Sequence, residues 1–194
     1  LFIGAEGTLG VITAASLKLF PVPRTVATAF VAVESVAAAV ALLGRLREST
    51  GDAVTSFELL PRLGIELTAR HVPGCRNPFD QTHDWYVLCE IASAREDPGL
   101  RTLLEDALGA AMSDGDVRDA VLAESVAQRD ALWRVRESVP EAQRREGASI
   151  KHDVSVPVAE LPDFVTRATA GVLAIVPDGR MLVYGHVGDG NLHF

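Results

Sequence analysis

The sequence predicts an α+β fold, an antiparallel sheet of ferredoxin-like layout with helices packed on one face. Two observations carry this. A strand-like run, an amphipathic helical run and a second strand-like run follow one another between Thr25 and Leu59, and the same order recurs between Trp85 and Leu122. Two β-α-β units with helices of similar length form the split β-α-β pattern. The two units share this layout without residue-level repetition.

The elements read in order as follows. Leu1–Gly4 is strand-like and leads into the Gly-rich turn Gly4–Gly10. Val11–Phe20 alternates, with Val11, Thr13, Ala15, Leu17 and Leu19 on one face, and Pro21 and Pro23 end it. Thr25–Val33 alternates again. Glu34–Glu48 carries Val36, Val40, Leu43 and Leu46 at helical spacing, and Gly51-Asp52 breaks it. Val54–Leu59 returns to strand, Leu60–Arg70 is a short helix, and 71–84 is a polar loop with Pro73-Gly74 and Asn77-Pro78. Trp85–Ile91 is a strand, Pro98–Met112 a helix and Val117–Leu122 a strand. Val126–Val139 is a helix closed by Pro140; Ala131, Leu132, Val135 and Val139 form its buried stripe, and Arg129, Trp133 and Arg136 form a neighbouring one. After a charged loop come the strand Ile150–Val156, the helix Leu161–Ile175 and the strand Met181–Val187.

Composition narrows the function. The chain has 194 residues, 48% hydrophobic and 23% charged, enough to bury a core without a disulfide or metal staple. No apolar run approaches the roughly 20 residues that span a bilayer. The net charge of −8 disfavours nucleic acid, whose phosphates call for dense Lys and Arg. Cys75 and Cys89 have no metal or CxxC spacing and read as reduced structural thiols of a cytoplasmic protein. The chain starts at Leu1 on a strand-like run and stops at Phe194 directly after a motif, so both ends are expected to be cuts through a longer protein.

Four segments carry chemistry. In Tyr184–Phe194, His186 and His193 flank Gly188-Asp189-Gly190-Asn191. The glycines permit a tight reversal that aims two imidazoles at one point, and two neutral imidazoles plus a carboxylate are a common divalent-metal set. The plainer reading is a turn with two incidental histidines. In Ser149–Pro157, Lys151 is one of only two lysines, the other being Lys18. An extended chain puts Lys151 and Asp153 on one face and His152 on the other, so Lys151 suits either a bound carboxylate or the charge of an edge strand. Arg136, in Trp133–Glu137, suits bidentate carboxylate recognition or a solvated pair with Glu137. In Gly4-Ala-Glu-Gly-Thr-Leu-Gly10, glycines at three-residue spacing either admit a ligand to the backbone or simply build a hairpin. No Gly-Lys-Ser/Thr follows, and no helix, so this is neither a P-loop nor a Rossmann turn.

In combination, Gly4–Thr13, Trp133–Glu137, Lys151–Pro157 and Gly185–His193 resemble, in this order, the FAD-linked oxidases of the vanillyl-alcohol-oxidase type. The nearest branch is that of the D-2-hydroxyacid dehydrogenases, which take in D-lactate, glycolate and D-2-hydroxyglutarate enzymes. The resemblance implies that residues 1–22 are the end of an FAD-binding domain and 23–194 a substrate or cap domain, truncated at its C-terminus. It implies FAD along Gly4, Glu6, Gly7, Thr8, Gly10 and Val11, and a divalent metal, zinc by preference, on His186 and His193. Arg136 and Lys151 match cations that grip the substrate carboxylates, and Asn191 matches a polar residue near the flavin. The implied reaction is metal-assisted oxidation of a D-2-hydroxyacid to the 2-oxoacid with hydride transfer to flavin. Electrons then pass to a cytochrome, a quinone or an electron-transfer flavoprotein. A homodimer and a location in the cytoplasm, or peripheral to the inner membrane, are compatible with it. Pro140 departs from the hydroxyl residue of glutarate-type relatives. The chain alone is expected to carry little FAD and no activity. The rival reading is a small-acid binding or regulatory module without catalysis.

Overall fold

The computed structural model describes residues 2, 4, 5 and 7–194; Leu1, Ile3 and Glu6 lie outside the described residues. Its strands are β1 (Thr25–Val33), β2 (Val54–Pro61), β3 (Trp85–Ser93), β4 (Val117–Leu122), β5 (Asp153–Ser155), β6 (Tyr184–His186) and β7 (Asn191–His193). Its helices are α1 (Val36–Thr50), α2 (Arg62–His71), α3 (Leu100–Ser113), α4 (Val126–Glu137), α5 (Val139–Arg144) and α6 (Leu161–Ile175). The seven strands form one sheet in the order β4-β1-β3-β2-β6-β7-β5, and every neighbouring pair is antiparallel. The first four strands interleave the two β-α-β units expected from the sequence. The last three extend the sheet beyond β2.

Local chemistry explains the helix ends. The Ser35 hydroxyl accepts from the Ala38 N–H and starts α1, and Gly51 in the left-handed region (φ 62°) ends it. Ser125 caps α4 in the same way, accepting from the Gln128 N–H.

Helices cover both faces, not the single face expected. On one face, α1, α3 and α6 bury Leu42, Leu46, Leu104, Leu108 and Leu161 against Val31, Leu59, Val87 and Cys89. On the other, α2, α4 and α5 bury Ile65, Leu132, Val135 and Val139 against Phe30, Leu60, Tyr86 and Leu88. The cause lies in β1 and β3. Both are apolar at successive positions, as in Phe30-Val31 and Val87-Leu88, so each needs cover on both sides. Both thiols are buried and unpaired. Burial pushes the Cys89 thiol up to about 12, against the opposing hydrogen bond at Ala29, so it is inert.

Four further expectations are corrected. Val11–Phe20 forms no strand: it finds no pairing partner among the described residues, and Val11 and Leu19 are 85% and 89% exposed. Pro140 does not merely close a helix. It occupies the first turn of α5, where a missing N–H costs nothing, and Ser138 joins α4 to it. Ala131 is exposed rather than part of the buried stripe. The strands expected over 150–156 and 181–187 shorten to three residues each. Pairing of β6 with β2 is limited to Glu58–His186 and Leu59–Gly185, because β2 ends at Pro61, which has no N–H to donate.

Candidate functional site

The site lies on the sheet face covered by α4. Residues directly opposite each other in antiparallel strands point to the same side. His186 opposes Glu58 on one flank and Asn191 on the other; Tyr184 opposes His193, which opposes Asp153. One face therefore collects Glu58, Tyr184, His186, Asn191, His193 and Asp153 from four strands.

The reversal between β6 and β7 brings the histidines together. Their ring centroids stand 5.9 Å apart with planes at 70°, and the His193 ring packs on Tyr184 at 4.9 Å. A short 3-10 turn, Val187–Asp189, makes the reversal and closes on Gly190 at φ 76°. The Arg47 guanidinium holds the turn by donating to the Gly188 carbonyl (3.0 Å). A Cβ on Gly190 would stand 2.0 Å from the Val156 carbonyl oxygen, so no side chain fits there. Gly190→Ala is expected to cost at least about 1–3 kcal/mol from the left-handed backbone alone, and more from displacing β5. A lowered Tm with faster amide exchange over 184–193 checks this, and unchanged exchange there would contradict it.

Each imidazole is held at Nδ1 by a carboxylate. His186 Nδ1 lies 2.5 Å from Glu58 Oε1, and His193 Nδ1 pairs with Asp153. Carboxylate oxygens only accept, so Nδ1 carries the proton on both rings. In the neutral ring each Nε2 is then an acceptor or ligand, the arrangement of metal-bound histidines. No cluster of three or more His, Cys, Asp or Glu side chains able to hold a metal is present among the described residues. The donor chemistry of two imidazoles suits a divalent metal, but by themselves they are an incomplete ligand set.

Glu58, which sequence reasoning did not single out, is the hub. It is 3% exposed, and its second oxygen accepts from Arg136 Nε at 2.8 Å. Arg136 is 7% exposed, so the solvated pair with Glu137 is not formed. Its guanidinium lies over the Tyr184 ring, 5.0 Å from the centroid, and its two Nη groups make no hydrogen bond among the described residues. A second buried acid secures the helix that carries it. Glu90 on β3 accepts from Arg129 Nε (2.5 Å) and Nη2 (3.1 Å), Trp133 Nε1 (2.8 Å) and Thr28 Oγ1 (2.7 Å). Burial alone would raise its pKa. The hydrogen bonds from Arg129, Thr28 and Trp133 outweigh burial and hold the carboxyl below the usual carboxylate range. The sequence signal for both acids was faint: one Glu inside each of two strands that carry no other charge.

The other expected residues fall into two groups. Asn191 joins the site; its Nδ2 donates to Ser155 Oγ (3.1 Å) and its N–H to Asp189 Oδ1 (3.1 Å). Lys151 lies just before β5, exposed, with no ion pair among the described residues. Gly4, Gly7, Thr8, Gly10 and Val11 sit in the exposed N-terminal segment, which no strand links to the site. There the Thr8 hydroxyl donates to the Ala5 carbonyl (2.6 Å), and Gly4 and Gly7 have open space where a Cβ would stand. That openness fits a ligand approaching the backbone. Glu6 lies outside the described residues. Beside Glu58 and His186 opens a cavity of about 470 Å³, which Trp133, Ser56 and Gly188 also line.

The fold and site thus define a mixed α/β domain whose sheet end gathers imidazoles, a guanidinium and a buried carboxylate on one face. The chain belongs to the FAD linked oxidases, C-terminal domain family, whose model matches residues 22–194. It is 36% identical over its whole length to the mitochondrial D-2-hydroxyglutarate dehydrogenase of Arabidopsis thaliana. It is 33% identical to the D-2-hydroxyglutarate dehydrogenase of Xanthomonas citri and 30% to the D-2-hydroxyglutarate–pyruvate transhydrogenase of Saccharomyces cerevisiae. The chain spans 34%, 39% and 40% of these relatives' lengths. A solved alkyldihydroxyacetonephosphate synthase shares the fold at a TM-score of 0.55 and 16% identity, over 98% of this chain and 40% of that one. No helix among the described residues is long and apolar enough to cross a membrane.

Proposed function

We propose that this chain is the substrate-side domain of an FAD-dependent oxidoreductase that oxidises a D-2-hydroxyacid, D-2-hydroxyglutarate foremost, to its 2-oxoacid. The observation that carries this is the shared hold of Glu58 on His186 and Arg136. It presents a guanidinium fork and a pair of adjacent imidazoles on one face. The names of the relatives support the choice of acid.

The residues divide the work by their chemistry. Arg136 offers its free Nη pair to a carboxylate in the bidentate geometry that guanidinium suits. Lys151 supplies a second cation for the substrate's charge. Asn191 offers a polar side chain beside His186. His186 and His193, whose Nδ1 atoms are engaged by carboxylates, would hold a divalent metal through Nε2, and the metal when bound would polarise the substrate hydroxyl. FAD, when bound along Gly4–Val11 including Glu6, supplies the hydride acceptor. Residues 1–22 then belong to the FAD-binding part and 23–194 to the substrate part. A cytochrome, a quinone or an electron-transfer flavoprotein takes the electrons onward. The assembly is a homodimer in the cytoplasm or at the surface of the inner membrane.

The test is optical. The full-length protein is expected to be yellow, and its flavin band to bleach under anaerobic addition of D-2-hydroxyglutarate, with D-lactate and glycolate compared alongside. A colourless protein that still binds these acids would favour the non-catalytic binding module instead.

A further inference from the structure

We propose that Glu58 is a positioning residue that ties the carboxylate-gripping arm of the site to its imidazole arm; this rests on the function proposed above. The two oxygens of Glu58 are each committed, one to Arg136 Nε and one to His186 Nδ1. The consequences for the two partners differ. The bond to Nε leaves both Nη groups of Arg136 without a hydrogen-bond partner among the described residues. The bond to Nδ1 fixes the tautomer of His186, so that its Nε2 lone pair is the one presented.

The two imidazoles are not held alike. The Glu58 side chain is 5% exposed and locked from two sides, whereas that of Asp153 is 64% exposed and, among the described residues, pairs with His193 alone. The buried acid therefore sets the geometry, and the exposed one follows. Because a single carboxylate serves both arms, a shift at one arm is felt at the other. The relative position of substrate grip and imidazole is fixed by one rigid group at the centre of β2, not by a mobile loop.

The decisive variant is Glu58→Asp in the full-length protein. It keeps the negative charge opposite Arg136, and so the fold, but is one methylene too short to reach both partners. Three readouts are expected to move together: metal affinity falls about 10- to 100-fold, KM for the hydroxyacid rises, and the metal-free protein loses the uniform Nδ1–H tautomer of His186 by ¹⁵N NMR. Glu58→Gln, which keeps the length but has one accepting oxygen, is the second variant should Asp fold poorly. Its oxygen can still accept from Arg136 Nε, but its amide nitrogen can only donate to His186 Nδ1, so the ring is expected to switch to the Nε2–H tautomer. A well-folded Glu58→Asp or Glu58→Gln protein with wild-type tautomer, metal affinity and KM would overturn the proposal. His186→Ala and Arg136→Lys run beside them. If those two leave metal content and KM untouched, the proposed function fails, while the tautomer readout still decides whether Glu58 orients the ring.

Discussion

Arg136→Ala in the full-length protein is expected to lose both stability and activity. The family resemblance makes the substrate the partner of Arg136, and if that were its partner by itself the melting temperature would hardly change. The structure adds a protein partner, Glu58, and both side chains are under a tenth exposed, so Tm is expected to fall as well. Removing one member of a buried pair leaves the other charge uncompensated, which costs about 3–5 kcal/mol. Loss of the Nη fork removes a charge-assisted contact, about 1.5–3 kcal/mol, which is roughly ten- to a hundredfold in kcat/KM. Two controls separate these effects. Arg136→Lys keeps a cation beside Glu58 but has no fork, so it should recover much of the stability while KM stays high. Lys151→Ala removes a cation with no ion pair among the described residues, so it should lower kcat/KM at unchanged Tm. An Arg136→Lys protein with wild-type KM would refute the carboxylate role. An Arg136→Ala protein with wild-type Tm would refute the buried pair.

What could be read from the sequence depended on how local the determinant is. The strand Thr25–Val33 and the helix Leu161–Ile175 emerge at the boundaries expected, since strand and helix signals are local; the alternation read in Thr25–Val33 does not carry over, because β1 is buried on both faces. The Arg129-Trp133-Arg136 stripe was also visible as spacing. Its purpose was not, because Glu90 and Glu58 arrive from other strands, 39 and 78 residues away in sequence. The pairing of His186 with His193 could be foreseen, since a glycine turn of a few residues sets it. Their carboxylate partners could not, as only the sheet register places Glu58 opposite His186 and Asp153 opposite His193. The failure at Val11–Phe20 has the same origin: alternation describes a strand's faces but says nothing of whether a neighbour exists to pair with it.

The largest effect is expected at the two histidines. Neither is a core residue: the His186 side chain is half exposed and that of His193 a third exposed, so truncation should leave the fold intact. Glu58 keeps Arg136 as its partner when His186 is removed, so no buried charge is orphaned. The site, by contrast, should collapse. An ion bound by imidazole needs nitrogens at about 2.0–2.1 Å, and two rings 5.9 Å apart between centroids stand close to what sharing one ion requires. Removing either ring leaves too few donors to retain a metal. His186→Ala and His193→Ala in the full-length protein are therefore each expected to abolish bound metal and reduce turnover by orders of magnitude. The flavin spectrum and Tm should stay near wild type, since the Gly4–Val11 segment expected to meet FAD lies outside this cluster. Metal analysis of the two purified variants, with the flavin band as internal standard, is the deciding measurement. If both keep the metal content and turnover of the parent, the Gly188–Asn191 reversal is only a turn, and the carboxylates at Nδ1 serve to hold β6 and β7 to their neighbours.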